Sequence, residues 1–287
     1  MQQLKALERI AAIVYVSTAA PGLLRRLKQL AMSGTPGARL LTVFTDEPYA
    51  RTSLLIAGEP SAVAAATVSV ALLAAAELDQ REHVATHPCI GVVDHISLSP
   101  VDGDDLAPAA AAALDVGASL AHTVPVYLYG AAHPAGRTLA TTRRLTPYFK
   151  AAAGWTAAPE LPADFAPAEP SARTGACCVG ATPLVLNYNL LLDTTDAAAA
   201  RAVADAVRSR SGGPPGVEAL ALQHDGGRYE VACNLLDPAG LSAPAAVRAV
   251  ADAAAAAVGT CVISDYTIGL TLAEIRERLA EAEAAGR

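Results

Sequence analysis

Apolar positions along the chain change period in a repeating order. AAIVYVS (residues 11–17) is β-branched and aromatic and predicts a strand. Residues 20–33 carry leucines and basic side chains at helical spacing, with Pro21 near the start. ARLLTVFTD (38–46) and RTSLLIAG (51–58) predict two strands joined by a short turn. A helix follows over about 60–80, then a strand over about 90–99 in IGVVDHISLSPV. This β-α-β-β-α-β order is that of a ferredoxin-like unit. A helix over 104–122, the strand VPVYLYG and the helix TLATTRRLTPYF extend it.

The pattern lapses between Ala151 and Ser171, where proline, alanine and acids dominate without a period, and resumes afterwards. PLVLNYNLLL (183–192) predicts a strand, and TDAAAARAVADAVRSR a helix with Thr194 or Thr195 as N-cap. VEALALQH and RYEVACNLL predict a hairpin across DGG, residues 243–257 a helix, GTCVIS a strand, and TLAEIRERLAEAEAA a closing helix. The order is again β-α-β-β-α-β. The fold class is therefore α/β (α+β), two ferredoxin-like βαββαβ subdomains with a ligand cleft between them.

Composition narrows the function. Of 287 residues 53% are hydrophobic and 17% charged, which predicts a folded chain. A net charge of −7 argues against nucleic acid as a partner, so an anionic ligand needs a local basic pocket. The five cysteines are odd in number and lack CxxC spacing, which points away from disulfides and zinc and toward a reducing compartment. Cys177 and Cys178, adjacent in a strand, face opposite ways. The first residues lack the build of a signal peptide. Ala62–Ala76 is nearly all apolar, yet short and bracketed by Glu59 and Glu77, so a buried helix is expected and no membrane span.

Candidate chemistry gathers in THPCIGVVDH (86–95). His83, His87, Asp94 and His95 have spacings that admit a metal cluster, but Pro88 breaks the helix that would align them, and no metal is expected. Strand alternation puts Val92, Asp94 and Ile96 on one face and Val93, His95 and Ser97 on the other. Asp94 is either an exposed strand end or part of an acid–base pair at a cleft. Asn187 and Asn189 share a strand face, and Asn234 interrupts a second apolar strand; they are either solvated or a polar ligand surface. Among the arginines, Arg51 beside apolar strand residues is the candidate for holding a carboxylate, whereas Arg143 and Arg144 read as solvated helix residues. Walker, GxSxG, GxGxxG and HExxH motifs are absent.

HPCIGVVDHISLSPV, VPVYLYGAA, VGATPLVLNYNLLL and VACNLLDP, in this order, resemble signature segments of the formiminotransferase domain of formiminotransferase-cyclodeaminase. The similarity runs from AIVYVS to YTIGLTLAEI and is nearest to stand-alone plant-type members. It implies folate-dependent one-carbon transfer of a formimino group between 5-formiminotetrahydrofolate and L-glutamate, as in histidine catabolism. Tetrahydrofolate would serve as co-substrate, in a cytoplasmic homodimer, with a peripheral organelle association left open. Carried over residue by residue, the family's histidine falls on His87, with Asp94 as its electrostatic support. The family's arginine falls on Arg51, and its folate loop on Ala166, Pro167 and onward to Arg173, Thr174 and Gly175. Its asparagines fall on Asn187, Asn189 and Asn234. The implied domains are 1–165, a loop over 166–175, and 176–287. The wording departs from the family at Cys89, where it has Arg, at Ala50, where it has Asn, at Tyr15-Val16, and at Arg173-Thr174, where it has Ser-Trp. These departures leave a second expectation, a folate-binding or regulatory protein that keeps the fold without catalysis.

Overall fold

The computed structural model describes residues 8–33, 35–146 and 161–285. The first seven residues, the end of the helix expected after VPVYLYG and the start of the proline-rich segment lie outside them. The chain forms two compact units: Met1–Pro183 with Leu272–Arg287, and Leu184–Thr271.

The first unit opens with β1 (Ile10–Val16), α1 (Pro21–Ser33), β2 (Ala38–Asp46), β3 (Arg51–Gly58), α2 (Pro60–Glu77) and β4 (Val93–Pro100). The unit continues with α3 (Ala107–Leu120), β5 (Val126–Gly130), α4 (Leu139–Leu145) and β6 (Cys177–Ala181). The sheet order is β2-β3-β1-β4-β6-β5. Its first four strands have the ferredoxin-like arrangement, and β6 and β5 extend it in parallel beside β4. β1 is buried along its whole length because it is central and covered on both faces, which is why it reads as an unbroken apolar run.

Ile10, Ala12, Val14 and Val16 meet the helices, together with Leu54, Ile56, Ile96 and Leu98. Fully buried Val63 and Val70 anchor α2 in this core, each worth about 1.5–3 kcal/mol of apolar burial. α2 is long and apolar enough to cross a membrane by length and composition, and half of that stretch is buried inside the unit, against β1, α1 and α3. On the other face Ile90, Tyr127, Tyr129, Ala176 and Cys178 form a second cluster with Leu139 of α4. Cys177 belongs to the helix-covered core, so the two adjacent cysteines do face opposite ways.

The second unit comprises β7 (Leu186–Leu192), α5 (Ala197–Val207), β8 (Val217–Gln223), β9 (Tyr229–Leu235), α6 (Pro244–Ala257) and β10 (Val262–Ile268). Its sheet order, β10-β7-β9-β8, is again ferredoxin-like. Asp196 caps α5 by accepting from Ala198 N at 2.7 Å, in place of the expected threonine; Thr194 instead accepts from Asp196 N at 3.0 Å.

The division between units differs from the expected 1–165 and 176–287. β6 hydrogen-bonds between β4 and β5, so the first unit runs through Pro183. The closing helix α7 (Leu272–Ala285) also belongs to it. There Ile275 and Leu279 are buried, Arg276 donates to Val101 O at 2.8 Å, and Arg9 pairs with Glu283 at 3.2 Å.

Candidate active site

A bulge in β4 shapes the site. Tyr15 pairs with His95 and Val16 with Val93, leaving Asp94 as the extra residue. Val93 and Ile96 then both face the helices, three residues apart, instead of following the expected two-residue alternation. The bulge also corrects the placement of Asp94 and His95 on opposite faces: their side chains meet, with His95 Nδ1 3.2 Å from Asp94 Oδ2.

Asp94 is wholly buried and accepts from three residues. Ile90 N donates to Oδ1 at 2.9 Å, Arg51 Nη1 reaches Oδ2 at 2.8 Å, and Arg143 Nη2 lies 2.9 Å from each oxygen. Burial pushes this carboxyl up, but Arg143 and Arg51 outweigh it and hold Asp94 well below the usual carboxylate range. Asp94 is therefore an anion committed to two guanidinium groups, a donor set that serves arginine rather than a metal ion. Arg51 also stacks over Tyr15 at 4.7 Å, and Tyr15 stacks on His95 at 4.1 Å. Two cations share one buried carboxylate, so the cluster carries an excess of one positive charge.

His87 lies in the turn before β4, half-buried, in an edge-on contact with Tyr49 whose ring centroid is 5.3 Å from its own. Its Nδ1 is 2.9 Å from the Pro88 carbonyl. A carbonyl only accepts, so Nδ1 carries the proton and Nε2 keeps its lone pair. Burial, then Arg51 and Arg143, push the imidazole well below its ordinary value, against the pull of Asp94. Burial likewise takes His95 down to about 4 despite its contact with Asp94. Cys89, next in the turn, accepts from Gln80 Nε2 at 3.2 Å, and burial raises its thiol, which stays neutral.

The 166–175 segment divides in two. Ala166 is exposed and Pro167 half-buried, just after Phe165 bridges to Val126. Arg173, Thr174 and Gly175 run beside the His87 turn: Arg173 O accepts from Gln80 N at 2.7 Å and Thr174 O from Val92 N at 3.0 Å. Gly175, at φ +67°, bridges to Gly91, and a Cβ there would lie 2.5 Å from Gly91 Cα. The Arg173 guanidinium donates to Ala75 O at 2.9 Å and to Ala76 O, closing the C-terminus of α2.

Asn187, Asn189 and Asn234 lie in the second unit, on the sheet face opposite the Tyr188–Leu190 core. Asn187 Nδ2 donates to Asn234 Oδ1 at 2.7 Å, and Asn234 Nδ2 to Glu218 at 3.1 Å. Asn189 Nδ2 donates to Glu230 at 2.7 Å. The structure gathers Arg51, His87, Asp94, Thr174 and Gly175 within the first unit, and Asn187, Asn189 and Asn234 in a hydrogen-bonded network within the second.

Arg143, expected as a solvated helix residue, is instead part of the site. α4 packs on the face bearing Tyr127 and Tyr129 and delivers Arg143 to Asp94, whereas neighbouring Arg144 is exposed and reaches Thr141 within its own helix.

Residues 9–182 match the family described as the formiminotransferase domain, N-terminal subdomain. The chain belongs to the formiminotransferase domain family. The matched span takes in every strand of the first unit, in keeping with the division after Pro183. Within curated relatives, this formiminotransferase-family chain is 34% identical over 242 residues to a formiminotransferase cyclodeaminase-like protein of Arabidopsis thaliana, covering 78% of this chain and 81% of that one. It is 32% identical over 216 residues to formimidoyltransferase-cyclodeaminase of Sus scrofa, covering 72% of this chain and 40% of that protein. It is 25% identical over 210 residues to glutamate formimidoyltransferase of Thermoplasma acidophilum, covering 71% and 69%.

Proposed function

We propose that the chain transfers a formimino group between 5-formiminotetrahydrofolate and L-glutamate. The observation that carries this reading is His87: a neutral imidazole with Nδ1 held by the Pro88 carbonyl, beside a net cationic pair of arginines. Family membership and the names of the relatives support it.

In this reading the glutamate amine gives a proton to His87 Nε2 as its nitrogen bonds to the formimino carbon. The bond from that carbon to folate N5 then breaks, and N5 takes the proton back from His87. The excess positive charge of Arg51 and Arg143 favours the carboxylates of glutamate or the folate tail. Asn187, Asn189 and Asn234 supply donors and acceptors suited to a pterin edge. A cytoplasmic homodimer working in histidine catabolism belongs to the same reading.

Cys89 favours a second reading, folate binding without transfer, because a neutral thiol follows the His-Pro pair. Calorimetry with tetrahydrofolate followed by a formimino-transfer assay separates the two. Binding with turnover supports the first, binding without turnover the second, and no binding sinks both.

A further inference from the structure

We infer that Arg143 is a positioning residue for His87: by holding the Pro88 carbonyl that accepts the His87 Nδ1 proton, it fixes which ring nitrogen is free to act as base. This rests on His87 being the proton carrier.

The geometry is specific. Pro88 O accepts from Arg143 Nη2 at 2.9 Å and from His87 Nδ1 at 2.9 Å, one lone pair to each. The same Nη2 lies 2.9 Å from both oxygens of Asp94, so the carbonyl cannot swing away without disturbing a buried ion pair. Asp94 in turn accepts the Ile90 amide at 2.9 Å, which pins the far end of the 87–90 turn. Arg143 itself is set by a short capped helix: Thr138 accepts from Thr141 N at 3.1 Å, and Thr142 is fully buried. Arg51 reaches Asp94 from β3 but makes no bond to Pro88. Among the described residues, Arg143 is the cation that joins the carboxylate to the His87 turn.

Among the described residues, the charged and titratable groups about His87 are Arg51 on β3, Asp94 on β4, Arg143 on α4, Tyr49 in the β2–β3 turn and Cys89 in its own turn. Removing Arg143 takes away a cation and frees the carbonyl. The imidazole should then titrate higher and mix its two neutral tautomers. A lysine keeps the charge but puts a rotatable ammonium in place of the rigidly held Nη2, so it should keep the low titration and lose the tautomer preference.

The test is nitrogen NMR of ring-labelled histidine on the full chain, with His87→Ala identifying the resonance. Wild type is expected to show a protonated Nδ1 and a bare Nε2 at pH 7. Arg143→Gln is expected to raise the His87 titration by about one pH unit or more and mix the tautomers, and Arg143→Lys to mix them at an unshifted titration. In a formimino-transfer assay, the acid limb of the rate profile of Arg143→Gln should move with the titration, with kcat reduced.

A protonated Nε2 in wild type overturns the inference whether or not Arg143→Gln folds. So does an Arg143→Gln spectrum identical to wild type. A wild type without transfer, but with the expected tautomer and shift, supports the role of Arg143 and counts only against the proposed transfer.

Discussion

Arg143 and Asp94 lie 49 positions apart in the chain, and one guanidinium nitrogen of Arg143 sits 2.9 Å from both carboxylate oxygens. Arg51 holds the same carboxylate from another strand, 2.8 Å away. Removing the shared anion leaves two buried cations facing each other. Asp94→Asn should therefore destabilise the chain by about 3–5 kcal/mol, read as a lower urea midpoint at unchanged slope. A midpoint near wild type would mean that solvent screens the cluster.

Stability should fall as pH drops below 6.5. Unfolded histidines take up protons near that value, whereas His95 resists until about 4 and His87 is also depressed, so protons favour the unfolded chain throughout this window. Each depressed histidine adds a slope of up to about 1.4 kcal/mol per pH unit. Urea midpoints between pH 7.5 and 4.5 should show it, and His95→Gln should flatten the curve. An unchanged slope in that variant would rule out His95 as its source.

Ala50 occupies the left-handed region at φ 44°, immediately before Arg51. An alanine there is strained by about 1–2 kcal/mol relative to glycine. After the extra chain entropy of glycine is subtracted, Ala50→Gly should raise stability by roughly 0.5–1 kcal/mol. A lower unfolding midpoint would show that the Ala50 methyl makes a contact worth more than the strain.

Gly91 has no room for a side chain: a Cβ would lie 2.2 Å from Ala176 O and 2.7 Å from Ala176 N. Gly91→Ala should cost at least about 2 kcal/mol by forcing the 174–176 segment off the His87 turn. Gly136, at φ +60° with open space around it, serves as the comparison, and its alanine variant should cost only about 1 kcal/mol. Equal losses of melting temperature would contradict the close approach.

Both ferredoxin-like orders were legible in the chain because their strands and helices alternate with clear periods and turn residues. DGG between two alternating runs was sufficient to place the β8–β9 hairpin. The site was harder to read. Strand alternation assigns Asp94 and His95 to opposite faces, and one inserted residue cancels that rule. Arg143 and Arg144 look alike in a basic helix, since their difference lies in which strand α4 packs against. β6 is five residues long, with an internal glycine, and follows an aperiodic stretch, so its insertion beside β4 and the resulting boundary are set by pairing with distant strands.

The most direct measurement is formimino transfer from 5-formiminotetrahydrofolate to L-glutamate by wild type and His87→Ala, with tetrahydrofolate affinity measured on both. The expected result is transfer by the wild type, a loss of about 10²–10⁴-fold in kcat for the variant, and folate binding retained. Wild-type transfer that survives in His87→Ala, or folate binding by the wild type with no transfer at all, would contradict His87 as the group that moves the proton.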